Sequence, residues 1–425
     1  MKSVTTLAEH EEKTTQQKIC RFCRTSLGEP FLDLGCTPLS NSYITPEHLN
    51  DEEASYPLRV FICQSCFLVQ LCDFQEASEI FHTDYAYFSS YSESWLSHAK
   101  SYVEAVTKRF HLNSKHQVIE LASNDGYLLQ YFVEKNIPVL GIEPSGNVAN
   151  AAIEKGIPTL IKFFGEKTAW ELARKGMLAD LLIANNVLAH VPDLNDFIGG
   201  IKRILKKEGV VTIEFPHLMK LIEENQFDTI YHEHFSYFTC TVVDKILNHH
   251  GLRVFDVEEL STHGGSLRIF AGHQEHSDHK VTERVLKLKD KEALMGLNDL
   301  GVYQNFSKKV ELVKQNLNQF LMELKKNGKT VAAYGAPAKG NTLLNYCGIK
   351  SDLLPFTVDL SPHKQGHYLP GSRIPIHHPD LIKKVKPEYL LILPWNLKDE
   401  IMQQMSCIRE WNGKFVVPIP KLTIF

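Results

Sequence analysis

Two short cysteine pairs, Cys20-Arg-Phe-Cys23 and Cys63-Gln-Ser-Cys66, set the tightest limit on how this chain can fold. A CxxC turn brings two thiolates to one ion, and two such turns fill a tetrahedral zinc site, leaving no position for water. Cys20, Cys23, Cys63 and Cys66 are therefore expected to hold a structural Zn2+ and to tie together segments far apart in the chain. The text between the pairs holds strand-like runs, "EPFLDLG" and "YPLRVFICQSC", so residues 18–80 read as a zinc-ribbon-like domain. A redox CxxC is the other use of such a pair. Six of the nine cysteines precede residue 73, and the opening "MKSVTTLAEHEEKTTQQKI" has no apolar core. That pattern points to metal binding in a reducing compartment, the cytoplasm, rather than to disulfides. Cys36 and Cys72 read as buried apolar residues.

A chain of 425 residues is too long for one ordinary domain. The net charge of −4 gives no basic excess, so no nucleic-acid partner is expected. No apolar run reaches the roughly 18 residues of a membrane helix, so no membrane partner is expected either. Oligomeric state is not legible. The division expected is a disordered tail over 1–17, the zinc-binding domain over 18–80, a cofactor domain over 81–300 and a C-terminal α/β domain over 301–425.

The cofactor domain opens with "QVIELASNDGY", an apolar strand that runs through Glu120 into a turn of small and polar residues, followed by a helix-like stretch. The next strand, "PVLGIEP", ends in Glu143. A strand, a tight turn and a helix, with an acid closing the next strand, make a nucleoside-binding unit: the turn lets backbone approach the ligand and the acid accepts from ribose hydroxyls. The dinucleotide GxGxxG is absent. The pattern is closer to the E/D-x-G/A-x-G turn of S-adenosylmethionine (SAM) methyltransferases, with Ala122 and Asn124 replacing glycines and Gly126 retained. The later strands, in "TLIKFFGE", "ADLLIANN" and "KKEGVVTIEF", follow an order that resembles a class I SAM methyltransferase. That likeness implies Phe163 or Phe164 near adenine, and Asn185 and Asn186 facing the methionine moiety.

Further on, "IYHEHFSYF" packs two histidines, a glutamate and four aromatic rings into nine positions. Such a stretch suits an enzyme that removes a proton in a dry pocket. Together, CxxC…CxxC, "DYAYFSSYS", "ELASNDGYLLQ", "GIEPSGNVA", "NNVLAHVPDL", "QFDTIYHEHFSYF", "STHGGSLRIF", "YGAPAKGNTLLNY", "SPHKQGHYLPGSRIPI" and "LILPWNLKDEI" resemble, in that order, the sugar C-methyltransferases of deoxysugar pathways. The likeness covers residues 18–422. It implies that a nucleotide-linked 4-keto-6-deoxyhexose, dTDP-linked by the family's preference, loses a proton beside the ketone, at C3 or C5. The enolate carbon, with C3 favoured, would then take the methyl group of SAM.

Within that resemblance His234 is the expected base, because a neutral imidazole works near neutrality. Glu233 or Tyr231 orients the sugar or polarises the ketone. Tyr85, with Tyr87 as alternative, matches a family tyrosine able to donate to the oxyanion. His232 and Tyr237 pack or brace the loop. His263, in "STHGGSLR", touches substrate or simply makes a turn, and Arg268 meets phosphate or a surface carboxylate.

The last third opens with an amphipathic helix over 304–327. "KTVAAYGAPAKGNTLLNYC" follows as strand, small-residue loop and helix, a Rossmann-like start whose amides suit an anion. Lys339 and Asn341 there, with Lys364 and Tyr368 after the next strand, are the expected substrate contacts. Two other functions compete: a nicotinamide-dependent sugar-nucleotide oxidoreductase, and a non-enzymatic zinc-ribbon binding module.

Overall fold

The computed structural model describes residues 18–72, 88–276 and 279–425; the polar tail, Tyr85 and Tyr87 lie outside them. Three sheets organise these residues. The first joins β1 (Leu32–Thr37), β2 (Tyr56–Ile62) and β3 (Val69–Leu71) in antiparallel pairs. Its fourth strand, Ser236–Tyr237, comes from far along the chain and pairs with β3.

The second sheet holds β4 (Val118–Leu121), β5 (Val139–Ile142), β6 (Thr159–Leu160), β7 (Ala179–Asn185) and β8 (Leu205–Pro216). After Ser236–Tyr237, which is β9, come β10 (Leu252–Leu260) and β11 (Ser266–His273). The spatial order is β10-β11-β8-β7-β4-β5-β6, and the pairings from β6 across to β8 are parallel. β11 runs antiparallel to both neighbours. A doubly wound sheet with one reversed strand slipped in before its edge is the class I methyltransferase arrangement.

The third sheet joins β12 (Val331–Tyr334), β13 (Thr357–Val358), β14 (Ile376–His377), β15 (Tyr389–Ile392), β16 (Lys414–Val417) and β17 (Thr423–Ile424). Its order, β14-β13-β12-β15-β16-β17, is the 3-2-1-4-5-6 winding of a dinucleotide fold, with only the last pairing antiparallel. The helix Leu300–Lys326 leads into it and buries Tyr303, Phe306, Val310, Val313, Leu317, Leu321 and Leu324, a stripe at three- and four-residue spacing.

The first sheet is wedged between the other two. In β2, Leu58, Val60 and Ile62 belong to the core shared with the C-terminal sheet, whereas Phe61 joins the core of the methyltransferase sheet. A strand sends alternate side chains to opposite faces, so this period-two text serves two cores at once. Cys20, Cys63 and Cys66 pack in the methyltransferase-side core. Cys36, expected to be buried, is exposed, and Cys72 is half-buried. Cys36 follows the left-handed Gly35, where the register of β1 against β2 shifts, which turns its side chain outward.

Candidate active site

The zinc cysteines converge. Sγ of Cys20 lies 3.6 Å from Cys66 and Sγ of Cys23 lies 3.4 Å from Cys63, and all four sulfurs fall within 4.8 Å of one another. Zn–S bonds of about 2.3 Å place tetrahedral sulfurs about 3.8 Å apart, so the cluster fits the ion. With four thiolates in place the metal has no open position for chemistry.

At the end of β4 the chain makes the turn that the sequence marks. Ala122, Asn124 and Gly126 have φ of 54°, 49° and 75°. Left-handed backbone is thus kept even where alanine and asparagine replace glycine. At Gly126 a Cβ would lie 2.3 Å from Cδ1 of Ile157, so a larger residue would have to displace that side-chain tip as well as adopt a left-handed φ of 75°. The amides of Asn124 and Ser145 donate to the Glu143 carboxylate at 3.0 and 2.8 Å, orienting it beside the turn. Burial raises the Glu143 pKa, and it pushes Glu120 up well beyond the carboxylate range, with Glu143 and Asp125 adding to the effect. Above the turn, the Ser89 amide donates to Oδ1 of Asn124 at 2.9 Å, and Ser90 bonds Asp125.

Oε2 of Glu120 and Oδ1 of Asn185 and Asn186 are buried acceptors with no protein partner among the described residues. SAM carries an ammonium and ribose hydroxyls, donors that match such acceptors, so the residues present fit the cofactor. Asn186 is itself left-handed, at φ 52°, and its amide donates to the Glu214 carbonyl at 2.7 Å. Of the two aromatic candidates, Phe163 is exposed, and Phe164 stands edge-on to Phe197, ring centroids 5.4 Å apart.

The histidine-rich loop lies where the sheets meet. Nδ1 of His234 is 2.9 Å from the Thr229 carbonyl and Nε2 is 2.9 Å from the Tyr231 hydroxyl. A carbonyl only accepts, so Nδ1 carries the proton and Nε2 keeps its lone pair, with the tyrosine hydroxyl donating to it. Burial and the neighbouring His190 hold the His234 pKa well below its ordinary value, so the imidazole is neutral at neutral pH. Its ring centroid lies 4.8 Å from that of His190, whose own pKa burial lowers to about 4. Glu233 accepts from Nδ2 of Asn41 at 2.6 Å, and burial raises it to about 7. His232 turns away, toward the Tyr56 carbonyl at 3.2 Å.

The helix Ala338–Cys347 approaches this loop from the C-terminal sheet. Oγ1 of Thr342 donates to the Ile230 carbonyl at 2.9 Å, and Nδ2 of Asn341 to the Ser40 carbonyl at 2.6 Å. Lys339 donates to Oδ1 of Asn396 at 2.7 Å and lies 4.5 Å from the Trp395 ring centre. The Trp395 indole donates at 2.7 Å to Asp228, which burial raises to about 7. Lys364 donates to the Ala336 carbonyl at 3.0 Å beside Asp359, and Tyr43 donates to that same carbonyl at 2.6 Å. Tyr368 is joined to the first domain through a backbone bridge to Ile44. His263 is left-handed, precedes two positive-φ glycines and packs 5.1 Å from the Trp95 ring. An added Cβ on Gly264 would sit 2.5 Å from Trp395, so this turn closes directly on the C-terminal domain.

Arg268 binds two carboxylates: the fully buried Glu214 at 2.6 Å, to which Thr262 also donates at 3.2 Å, and the partly exposed Glu258 at 3.2 Å. His190, Asp228 and Trp395 also belong to the site and were not singled out from the sequence. Only the position of His190, just past the fourth strand of the cofactor sheet, could have marked it. Asp228 and Trp395 are distant in sequence and meet only in the fold.

Family models match three consecutive stretches of the chain: a zinc binding domain over residues 20–81, a methyltransferase domain over 95–257 and a C-methyltransferase C-terminal domain over 261–420. The C-methyltransferase NovU of Streptomyces niveus is 34% identical over 402 residues, covering 95% of both chains. Among solved structures, PH0226 from Pyrococcus horikoshii OT3 is 16% identical with a TM-score of 0.36, covering 47% of this chain and 99% of that one. Magnesium protoporphyrin IX methyltransferase (ChlM) from Synechocystis PCC 6803 with bound SAH is 16% identical at 0.33, covering 41% and 81%. The assignment rests on the full-length relative and the family models, not on these partial likenesses. It leaves neither the oxidoreductase nor the non-catalytic zinc module standing. The chain belongs to the SAM-dependent C-methyltransferases, in the family that joins a zinc-binding domain, a methyltransferase domain and a C-methyltransferase C-terminal domain.

Proposed function

We propose that this chain methylates a ring carbon of a nucleotide-linked 4-keto-6-deoxyhexose, dTDP-linked and at C3, in the cytoplasm. The observation that carries the proposal is the Tyr231–His234 pair, with a free-base Nε2, lying between two Rossmann-type sheets. A C-methyltransferase must first make a carbon nucleophile, and a ketone acidifies the hydrogen on the neighbouring carbon. His234 receives that proton at Nε2, directly once the Tyr231 hydroxyl turns aside or through the phenol oxygen. The electron pair of the broken C–H bond moves into the enolate. When bound, SAM would supply a sulfonium-borne methyl group for that carbon, with a neutral thioether as the leaving group. Glu120, Ala122, Asn124, Gly126, Glu143, Asn185 and Asn186, with Phe163 or Phe164, form the cofactor side of the cleft.

The substrate side is formed by Lys339, Asn341, Lys364, Tyr368 and His263. The first two come from the helix Ala338–Cys347 and the next two from the segment between β13 and β14, all in the C-terminal domain, where a nucleotide would be bound. Lys339 offers a cation, and Tyr231 and Glu233 lie close to the base in sequence. Tyr85 completes the set as a donor to the oxyanion. Family membership supports carbon as the methylated atom.

The test is incubation of a dTDP-4-keto-6-deoxyhexose with purified protein in D2O, with and without SAM, read by mass and NMR. A product heavier by one methylene with the methyl on C3, and deuterium exchange at C3 that depends on His234, are expected. A methyl on oxygen, or exchange unaffected in His234→Asn, would overturn the proposal.

A further inference from the structure

The zinc knuckle reaches the proton-transfer loop through one side chain. Arg21 sits between the ligands Cys20 and Cys23 and is only 7% exposed. Its amide donates to Oε1 of Gln70 at 3.0 Å, its Nη2 to the Leu71 carbonyl at 2.7 Å and its Nη1 to the Pro192 carbonyl at 2.8 Å. Its guanidinium also lies 5.3 Å from the ring centre of Phe235.

The guanidinium contacts lead to the histidines of the site. Pro192 ends the short loop that carries His190, and Phe235 directly follows His234. The two loops are tied to each other, because the Phe235 amide donates to the Ala189 carbonyl at 2.7 Å. The Leu71 amide in turn donates to the Phe235 carbonyl at 2.9 Å. The planar fork of Arg21 therefore spans the three segments whose spacing sets the His190–His234 contact. Neighbouring atoms of the knuckle brace it: Asn195 donates to the Phe22 carbonyl at 3.0 Å, and Phe22 stands edge-on to His249.

We infer that Arg21 is a positioning residue for the base, and that the zinc knuckle thereby acts on turnover as well as on folding. This rests on the reading of His234 as the base. A guanidinium suits this role because it is permanently charged, donates in two fixed directions and stacks on an aromatic face. Lysine keeps the charge but has neither the fork nor the plane. Shifts of about 1 Å at a reacting group cost on the order of 100-fold in rate.

The experiment is Arg21→Lys in the full chain, loaded with zinc. Four quantities are read: zinc per chain, SAM affinity, the titration of His234 by long-range 1H–15N NMR in substrate-free protein, and kcat with the dTDP-4-keto-6-deoxyhexose. The NMR titration separates His234 from the groups that face it, which are His190, Tyr231 and Tyr237, with His263 and Lys339 further off. Zinc content and SAM affinity are expected to hold within about twofold, because the Arg21 contacts described above run to Gln70, Leu71, Pro192 and Phe235 rather than to the cofactor turn or a ligand sulfur. The His234 titration should move up toward about 6.5 as its enclosure loosens, and kcat should fall about 10- to 100-fold. An unchanged titration with kcat within about twofold of wild type overturns the inference. So does a kcat loss matched by an equal loss of SAM-binding sites, since that reports unfolded protein. If the lysine variant loses zinc, Phe235→Leu removes the stacking face from the other side and is judged by the same outcomes. His234→Asn is run alongside: full activity there sinks the base itself, whereas a dead His234→Asn beside a wild-type Arg21→Lys sinks only this inference.

Discussion

Tyr231 and His234 share a single hydrogen bond of 2.9 Å, and the Thr229 carbonyl on the far side of the ring fixes which nitrogen accepts it. The proposed base therefore has its lone pair covered by a hydroxyl. His234→Asn should lower kcat by about 1,000-fold or more and Tyr231→Phe by about 10- to 100-fold, in the range of general-base effects. SAM affinity should be unchanged in both, because the cofactor turn lies on other strands. Steady-state rates and SAM calorimetry on the same samples check this.

Glu233 carries its own pH signature. Burial lifts its pKa from 4.5 to about 7. A carboxyl raised in the folded state stabilises fully below its unfolded pKa, and the contribution is lost as pH climbs through the folded value. Glu233→Gln should therefore raise Tm by a few degrees at pH 8 and leave it nearly unchanged at pH 4.5. Thermal unfolding at the two pH values decides the matter, and an equal shift at both would refute the burial argument.

The opposite sign holds for Glu292. This carboxylate is 2% exposed, lies 2.8 Å from Nε2 of His217, and accepts from the Cys240 and Thr241 amides at 2.6 and 2.9 Å. His217 and the Thr241 donors outweigh desolvation and keep the Glu292 pKa below its usual value. The stability is present above pH about 4.5 and should fade as acid protonates the group. Glu292→Gln should cost about 3 kcal/mol at pH 7, because it leaves buried donors and His217 without their charge. Urea unfolding at pH 7 and pH 4 measures both effects.

The cofactor turn makes a prediction by substitution. Gly126→Ala pushes a methyl against the tip of Ile157 at a φ of 75° and should destabilise the turn by about 1–2 kcal/mol and weaken SAM binding. Ala122→Gly, at φ 54°, relieves a left-handed alanine and should be neutral or stabilising by up to about 1 kcal/mol. Calorimetric SAM titration and Tm of the two variants give the comparison.

For the metal, Cys63→Ser with Cys66→Ser should cost the folded state, since the four ligand cysteines tie distant segments together against the methyltransferase-side core. Far-ultraviolet circular dichroism and zinc analysis on the purified double variant suffice. A variant that is zinc-free, native-like and as stable as the parent would show that the site does not support the fold.

Much of the architecture was legible because its signals are local. The CxxC turns, the period-two runs and the small-residue turns after β4 and β12 each declare themselves within a few residues. The left-handed Ala122 and Asn124 show why a turn that keeps only Gly126 still read correctly: the backbone shape is kept at some strain, and Asn tolerates it well. What stayed hidden is non-local. Nothing near Ser236 announces that it pairs with Gln70, and nothing near Asp228 announces the Trp395 indole. His190 stands in a recognisable stretch, "NNVLAHVPDL", but its role depends on a ring that lies 4.8 Å away in space and 44 positions along the chain (190 to 234).

The strand Ser236–Tyr237 lies in the sequence of the cofactor domain but completes the sheet of the zinc domain. The three modules are therefore not beads that can be restrung. A chimera that imports another methyltransferase between the CxxC pairs and the C-terminal sheet also imports a foreign edge for β3, and with it a new setting for His234. Descent by exchange of whole domains is closed to such a chain unless the donor brings a matching edge strand. New substrate specificity is more readily reached by changing side chains on the rim of the cleft than by swapping its walls.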